Sequence, residues 1–369
     1  NDRQLKLLIK DFNSKEERDI ALEVGKVDVK SVQGFLYQDF AVIRIDRFSS
    51  DSYKEFMDCL NRLDKNGGFK NLVLDLRGNP GGFLPEATKM LNQIFKEKER
   101  LLVYTQGRNE RGSEYKTTGK NFYDIDKVAI LVDEGSASGS EIIAGAIQDW
   151  DRGLIVGRRT FGKGLVQEQY NLSNGGALRL TVAEYFTPSG RLIQKSFEDK
   201  NSYRDDISSR IQSGELSGDV VAPIMDSTAF ETKVKKRMVF AGGGITPDIF
   251  IPIDSLYLSR ELTQASVSTE EFIFKRFLAE NIMVPENEDD FVQTWRVPEQ
   301  MIADFRGFLE YDDEQYAWMN KYLGRFLKEE IAKLYFDNTI AMRVKFNDDE
   351  FLDQSILALS KQNIFAELK

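Results

Sequence analysis

Three segments carry residue types and spacings that could do covalent chemistry. The first, Glu134-Gly135-Ser136-Ala137-Ser138-Gly139-Ser140-Glu141, joins an apolar run to a helical pattern. Its small residues allow a sharp turn and leave a hydroxyl at the helix start. Unpaired amides and the helix dipole favour a developing negative charge there. The same letters also fit a capping box, Ser138 with Glu141 three residues later, which needs no chemistry. The second, Gly157-Arg158-Arg159-Thr160-Phe161-Gly162-Lys163-Gly164, has nearly the glycine and lysine spacing of a phosphate-binding loop. Gly164 stands where that loop needs a hydroxyl for Mg²⁺. Residues 165–172 then alternate like a strand, not like a helix that aims amides at phosphate. The expectation is therefore no bound nucleotide. Lys163, between two glycines and flanked by Phe161 and Leu165, is either a surface turn or a desolvated amine that gives up its proton readily and can act as a base. The third, Asp75-Leu76-Arg77-Gly78-Asn79-Pro80-Gly81-Gly82, ends an apolar run. Its glycines either bring backbone N–H groups close to a ligand or simply turn the chain.

What is missing narrows the chemistry. The 369 residues contain no histidine, which excludes Ser-His-Asp and Cys-His catalysis and zinc sites built on imidazole. One cysteine, Cys59, permits no internal disulfide and no thiolate cluster, and its place in an apolar helical pattern reads as core filling. No metal is expected. A net charge of -10 argues against broad nucleic-acid binding. A serine nucleophile in such a chain needs a base other than histidine, and a Ser-Lys pair is one solution. Ser138 and Lys163 lie 25 residues apart, room for a helix and a strand to return the chain to the same end of a sheet.

The elements that would position these residues alternate. Phe40 to Ile45, Leu72 to Leu76, Val128 to Val132 and Leu154 to Val156 read as strands, the middle two as short buried runs. Helical patterns fall at residues 52–66, 87–96 and 141–149. This argues for an α/β core. The polar stretch 198–217 reads as a surface insertion. All but two of the 27 glycines precede residue 245, and no proline follows Pro298. The C-terminal third is therefore expected to be helical, with Leu323, Leu327, Ile331, Leu334 and Tyr335 along one apolar stripe and a further helix near residues 351–359. Residues 1–32 hold two strand-like runs around a charged turn, too few to bury a core alone. They are either part of a larger domain or an edge ribbon on the core. No apolar run approaches the roughly 18 residues of a membrane span.

At these segments the sequence resembles the C-terminal processing peptidases, also called tail-specific proteases, over about residues 35–252. The resemblance rests on five ordered blocks: residues 74–82, 134–149, 157–167, then Leu180-Thr181-Val182-Ala183-Glu184-Tyr185-Phe186-Thr187-Pro188-Ser189-Gly190-Arg191, and Gly242-Gly243-Gly244-Ile245-Thr246-Pro247-Asp248. It implies an α/β chain with a crotonase-like (ClpP-like) core at 33–255, a helical C-terminal extension at 256–369, and a PDZ remnant or edge ribbon at 1–32. It places the nucleophile on Ser138 rather than Ser136 or Ser140, and the base on Lys163. Gln167 falls on the position that supports the lysine, and Asp149 on the acidic position at the end of the serine-bearing helix. Oxyanion amides are expected at Gly139 and at Gly81 or Gly82. The implied activity is a serine endopeptidase cutting near protein C-termini, extracytoplasmic, in a bacterial periplasm or cell envelope. It needs no cofactor, nucleotide or nucleic acid. The implied partners are proteins or peptides with accessible C-terminal tails, and a homo-oligomer is left open. The alternative is a non-catalytic hydrophobic-ligand or peptide-binding module on the same fold, against which the joint presence of Ser138 and Lys163 argues. Two departures stand out: residues 1–32 match only the final strands of a PDZ domain, and the helical tail resembles C-terminal extensions of some bacterial members.

Overall fold

The computed structural model describes residues 4–10, 16–25, 29–108, 111–197, 203, 205–219, 228–277, 282–311 and 314–365. The chain divides into two compact units, one of residues 31–254 with 348–369, the other of residues 1–30 with 255–347.

The first unit is built on a six-stranded sheet. Its strands are β3 (Val32–Tyr37), β4 (Phe40–Ile45), β5 (Asn71–Asp75), β8 (Val128–Val132), β9 (Leu154–Gly157) and β12 (Ile249–Phe250), in the spatial order β12-β9-β8-β5-β4-β3. All neighbours are parallel except the β3-β4 hairpin. Each of the four parallel steps needs a crossover; α1 (Ser52–Lys65), α2 (Leu84–Ile94) and α3 (Gly139–Asp149) lie in three of them, and the long stretch after β9 makes the fourth, to the strand Ile249–Phe250. Every residue of β5 and β8 is buried, as uninterrupted apolar runs require in a sheet covered on both faces. Phe56, Leu60, Met90, Leu91, Ile143 and Ile147 carry the helical faces of this core. Cys59 is buried among them, and a Cβ on Gly34 would come within 2.8 Å of its sulfur. A second, antiparallel sheet has the order β10-β11-β6-β7, with β6 at Lys98–Gln106, β7 at Glu114–Thr118, β10 at Leu165–Asn171 and β11 at Ala177–Phe186.

Two features of this unit differ from the sequence expectation. Part of the polar stretch 198–217 falls in the described residues, and its short helix Asp206–Gln212 buries Arg210. Arg159 reaches Glu215 of the same stretch at 2.7 Å with both side chains inside. Charged letters look solvated in a sequence, and here they pair with one another across the fold. The helical extension, read as running to the end of the chain, also breaks. Residues 348–369 belong to the sheet unit, and their helix Glu350–Ser360 packs on β8 and β9. Phe351 there lies under the Arg77 guanidinium, 4.5 Å from its ring centroid. Asp349 accepts from Arg77 Nη1 at 2.8 Å.

The second unit is helical, as the glycine and proline distribution predicts. It comprises Arg260–Phe277, Glu288–Gln293, Glu299–Phe308, Asn320–Tyr335 and Asn338–Phe346. Its core holds Leu262, Phe272, Phe291, Phe305, Leu323, Leu327 and Ile331. Leu334 stays exposed, where the apolar stripe runs out at the helix end. Asp337 caps the last of these helices, accepting from Thr339 N and Ile340 N. The strands β1 (Gln4–Lys10) and β2 (Glu17–Glu23) form a separate two-stranded ribbon, not an edge of the six-stranded sheet.

The end of β5 is held by charge. The Asp75 carboxylate is fully buried and accepts from Arg44 Nη1 at 2.8 Å and from Arg77 Nε at 2.8 Å. Burial alone would push this carboxyl up; the Arg77 and Arg44 guanidiniums outweigh it and hold it at about 2, against 3.8 for a free aspartate. A depressed folded value means stability that is present above the unfolded value and lost as pH falls through the folded one. The shift corresponds to about 2 kcal/mol. Urea unfolding of Asp75→Asn at pH 7 should therefore show a loss of at least about 2 kcal/mol. The gap to the wild type should narrow as the pH falls from about 4 toward about 2; a gap independent of pH would refute this account.

Candidate active site

The three serines after β8 have different fates. Ser136 and Ser140 are completely buried. Ser136 Oγ donates to Leu76 O at 2.8 Å, and Ser140 Oγ donates to Asn79 O at 3.0 Å. With Ala137 N donating to Asn79 O at 2.9 Å, they stitch the serine turn to the loop that follows β5. Ser138, between them, stays partly exposed. It occupies the cap position of α3 with φ 54° and ψ −111°. A non-glycine residue at such a positive φ costs on the order of 1–3 kcal/mol and persists only where the surroundings impose it. Asn79 is one of those surroundings: it is buried, and its Nδ2 donates to Ile45 O at 2.8 Å.

Glu141 is the main one. Its carboxylate is fully buried and takes four donors. Oε2 accepts from Ser138 N and from Lys163 N, each at 2.8 Å. Oε1 accepts from Gly162 N at 2.7 Å and from Thr160 Oγ1 at 2.6 Å. The capping-box partner expected for Ser138 thus also holds the turn that carries Lys163. Burial pushes the Glu141 carboxyl up, and the four donors work against that rise. Across from it, Tyr185 on β11 sends its hydroxyl to Lys163 O at 2.6 Å and to Ser138 O at 3.1 Å. Burial, together with the nearby Glu141 charge, pushes this phenol well above its usual range, so it remains a donor. Ser138 and Lys163 are therefore brought together, joined through both their amides and their carbonyls. Among the described residues no hydrogen bond links the Ser138 hydroxyl with the Lys163 amine.

The lysine turn has further supports. Gly164 N donates to Gln194 Oε1 at 2.8 Å. Gly162 has φ +85°, and a Cβ there would come within 3.1 Å of the Gly243 and Gly244 backbone. Thr160 exchanges bonds with Ile245, its N donating to Ile245 O and its Oγ1 accepting from Ile245 N. The late glycine-rich segment thereby backs the lysine turn. The chain after Lys163 is strand β10, so the turn has no helix behind it of the kind a phosphate loop needs.

Gly139 opens α3, and its N–H, at a helix start, donates to no acceptor among the described residues. Gly81 lies against it: a Cβ on Gly81 would sit 2.6 Å from Ser138 Cβ and 2.9 Å from Gly139 N. Gly81 N already donates to Asn79 Oδ1 at 2.8 Å. Gly82 N donates to no acceptor among the described residues, because the bridge between Phe48 and Gly82 uses Gly81 O and Phe83 N. Gln167 is exposed near the start of β10, beside a bulge in its pairing with β11. Asp149 lies at the far end of α3. At about 1.5 Å per residue that is roughly 16 Å along the helix from Ser138. Its carboxylate pairs with the buried Arg191 and accepts from Ser189 N at 2.7 Å, anchoring the turn after β11. Sequence reasoning gave Glu141 only a capping role and gave Tyr185 none. The spacing from Ser138 carries a signal for the glutamate; nothing local marks the tyrosine.

Residues 39–200 match the model of peptidase family S41, and every residue of the site described above up to Gln194 lies in that segment. Two curated relatives carry the description "Probable CtpA-like serine protease". The one from Staphylococcus aureus (strain COL) is 36% identical over 179 residues, which is 48% of this chain and 36% of the relative. The one from Staphylococcus haemolyticus (strain JCSC1435) is 36% identical over 190 residues, 51% of this chain and 38% of the relative. The chain thus spans little more than a third of the length of these relatives. Among solved structures, a photosystem II D1 C-terminal processing protease is similar at 30% identity with a TM-score of 0.40, covering 52% of this chain and 53% of that one.

Two glycines of this site should respond differently to a methyl group. A Cβ on Gly82 would fall 2.1 Å from the Phe48 carbonyl oxygen, at φ +146°. Gly82→Ala should lose about 1–3 kcal/mol in urea unfolding, since backbone must move and a strained φ must be held. Gly139→Ala meets the edge of the Phe48 ring at 3.0 Å and should cost less. The reverse order would contradict the packing described.

Proposed function

We propose, from the match of residues 39–200 to the model of peptidase family S41, that this protein is a serine endopeptidase using Ser138 as nucleophile and Lys163 as base. The observation that carries the reading is the strained, partly exposed Ser138 at a helix start, tied to Lys163 through a shared carboxylate oxygen. The unprotonated Lys163 Nζ takes the proton from Ser138 Oγ as Oγ attacks the scissile carbonyl. The oxyanion faces the Gly139 N–H and the Gly82 N–H, since Gly81 N is engaged with Asn79. Each such donor contributes roughly 3 kcal/mol in a preorganised site. The protonated Lys163 then delivers its proton to the leaving amine as the C–N bond breaks. It next takes a proton from the water that hydrolyses the acyl-enzyme. Gln167 supports Lys163 from β10 once substrate is bound. Asp149 serves at one remove, by holding Arg191 and the turn after β11.

The finer assignments belong to the same reading. The sheet unit is a crotonase-like core, and the β1-β2 ribbon is the remnant of a PDZ-like domain. Substrates are proteins or peptides with accessible C-terminal tails, cut outside the cytoplasm. The similarity to CtpA-like serine proteases supports this, as does the match of residues 39–200, which hold Ser138 and Lys163, to the peptidase family S41 model.

The test is cleavage of an unstructured protein such as casein. Ser138→Ala and Lys163→Arg should each lose about 10⁴-fold or more in kcat while remaining folded, because alanine has no nucleophile and a guanidinium cannot accept the proton. Cleavage at the wild-type rate by folded Lys163→Arg would remove lysine as the base. Cleavage by folded Ser138→Ala would remove the whole mechanism.

A further inference from the structure

A Ser-Lys pair has a geometric problem that a histidine triad solves differently. A lysine side chain has four rotatable bonds and no third residue orienting it through a ring nitrogen. The distance between the two reacting atoms must then be set largely by where the two main chains stand. Here the two main chains are fixed by the same two groups. The Glu141 carboxylate gathers the N–H groups of Ser138 and Lys163 on a single oxygen, and the Tyr185 hydroxyl spans the carbonyls of the same two residues. Neither side chain needs to reach substrate to do this. Both lie inside, with Glu141 0% and Tyr185 1% exposed.

We propose that Glu141 and Tyr185 are paired positioning residues that set the gap between Ser138 and Lys163, one gripping their amides and the other their carbonyls. The proposal rests on the Ser-Lys reading above. It assigns to the acidic residue three after the serine a part in catalysis distinct from helix capping. A cap alone would need only the Ser138 amide, yet three of the four donors on this carboxylate come from the lysine turn. The chemistry of the grip also restricts what can stand there. Glu141→Gln keeps the shape but turns an NH₂ toward either the Ser138 and Lys163 amides or the Gly162 amide and Thr160 hydroxyl, so donor meets donor in both orientations. Tyr185→Phe keeps the ring and removes only the bridge between the carbonyls.

The experiment measures kcat and KM on one fluorogenic peptide cut by the wild type, per folded molecule, with the folded fraction taken from circular dichroism. Tyr185→Phe should lower kcat by about 10- to 100-fold with KM within about twofold, because small misplacements of reacting groups act on the chemical step. Glu141→Gln should lower kcat at least as much. The double variant should lose less than the product of the two single losses, because both act on one gap. Tyr185→Phe with wild-type kcat per folded molecule would overturn the proposal, even if its melting temperature dropped, since a purely structural role predicts that result. Should Glu141→Gln fail to fold, Tyr185→Phe alone decides. Ser138→Ala and Lys163→Arg, run beside them, separate the two questions. If Lys163→Arg cuts at the wild-type rate, the Ser-Lys reading has failed and the positioning role falls with it. If both controls are dead and Tyr185→Phe is fully active, only the positioning role has failed.

Discussion

One buried carboxylate organises the site. Glu141 stands on the first turn of α3, and its two oxygens collect donors from residues 138, 160, 162 and 163. An ionised carboxylate with no water around it is costly unless its lone pairs are filled, and four donors fill them. That requirement works in both directions. The donors hold the charge, and the charge holds the donors. Two turns from opposite ends of a helix-strand unit must meet at one point for the account to balance. The β8-α3-β9 crossover makes the meeting possible, because parallel strands return the chain to the same end of the sheet each time.

The strain at Ser138 makes sense in this setting. Its backbone leaves the common regions so that the residue stays partly exposed while the amide turns inward to Glu141. Its neighbours Ser136 and Ser140 do the opposite, turning their hydroxyls onto the carbonyls of Leu76 and Asn79. The turn is over-determined from three sides: the loop after β5, the lysine turn and the tyrosine of β11. The loop after β5 is in turn held at its base by Asp75 with Arg44 and Arg77. Arg77 reaches on to Asp349 and lies over Phe351, so the last helix of the chain steadies the loop that brings Gly81 against Ser138.

Buried ion pairs recur where a loop must be held without a wide apolar face. Asp149 with Arg191 holds the turn after β11, and Asp248 with Arg237 lies beside β9, where Asp248 also accepts from Ile155 N at 2.8 Å. Arg159 and Glu215 do the same for the stretch that looks like surface insertion in the sequence. Such pairs add less net stability than their Coulomb energy suggests, but removing one partner strands the other. They therefore specify which loop goes where more than they strengthen the core.

The sequence alone determined the elements and the chemistry on offer. Apolar runs of strand length marked β5 and β8, and their complete burial is why the pattern was legible. Glycine and proline content marked the helical region, because those residues tolerate or break helices by local rules. The absence of histidine and the two small-residue turns pointed to a serine of the turn 136–140 paired with Lys163, and the family resemblance singled out Ser138 among them. Tertiary structure decided the rest. Which serine stays partly exposed depends on carbonyls of residues 76 and 79, some 60 positions away. That Glu141 serves the lysine turn as well as its own helix, and that Tyr185 bridges both, follows from how a crossover and a second sheet converge. The return of residues 348–369 to the sheet unit is likewise invisible locally, since a helix reads the same whichever sheet it covers. Local pattern fixes what a segment is; the partner of a buried polar group is fixed only by the packing that removes water from it.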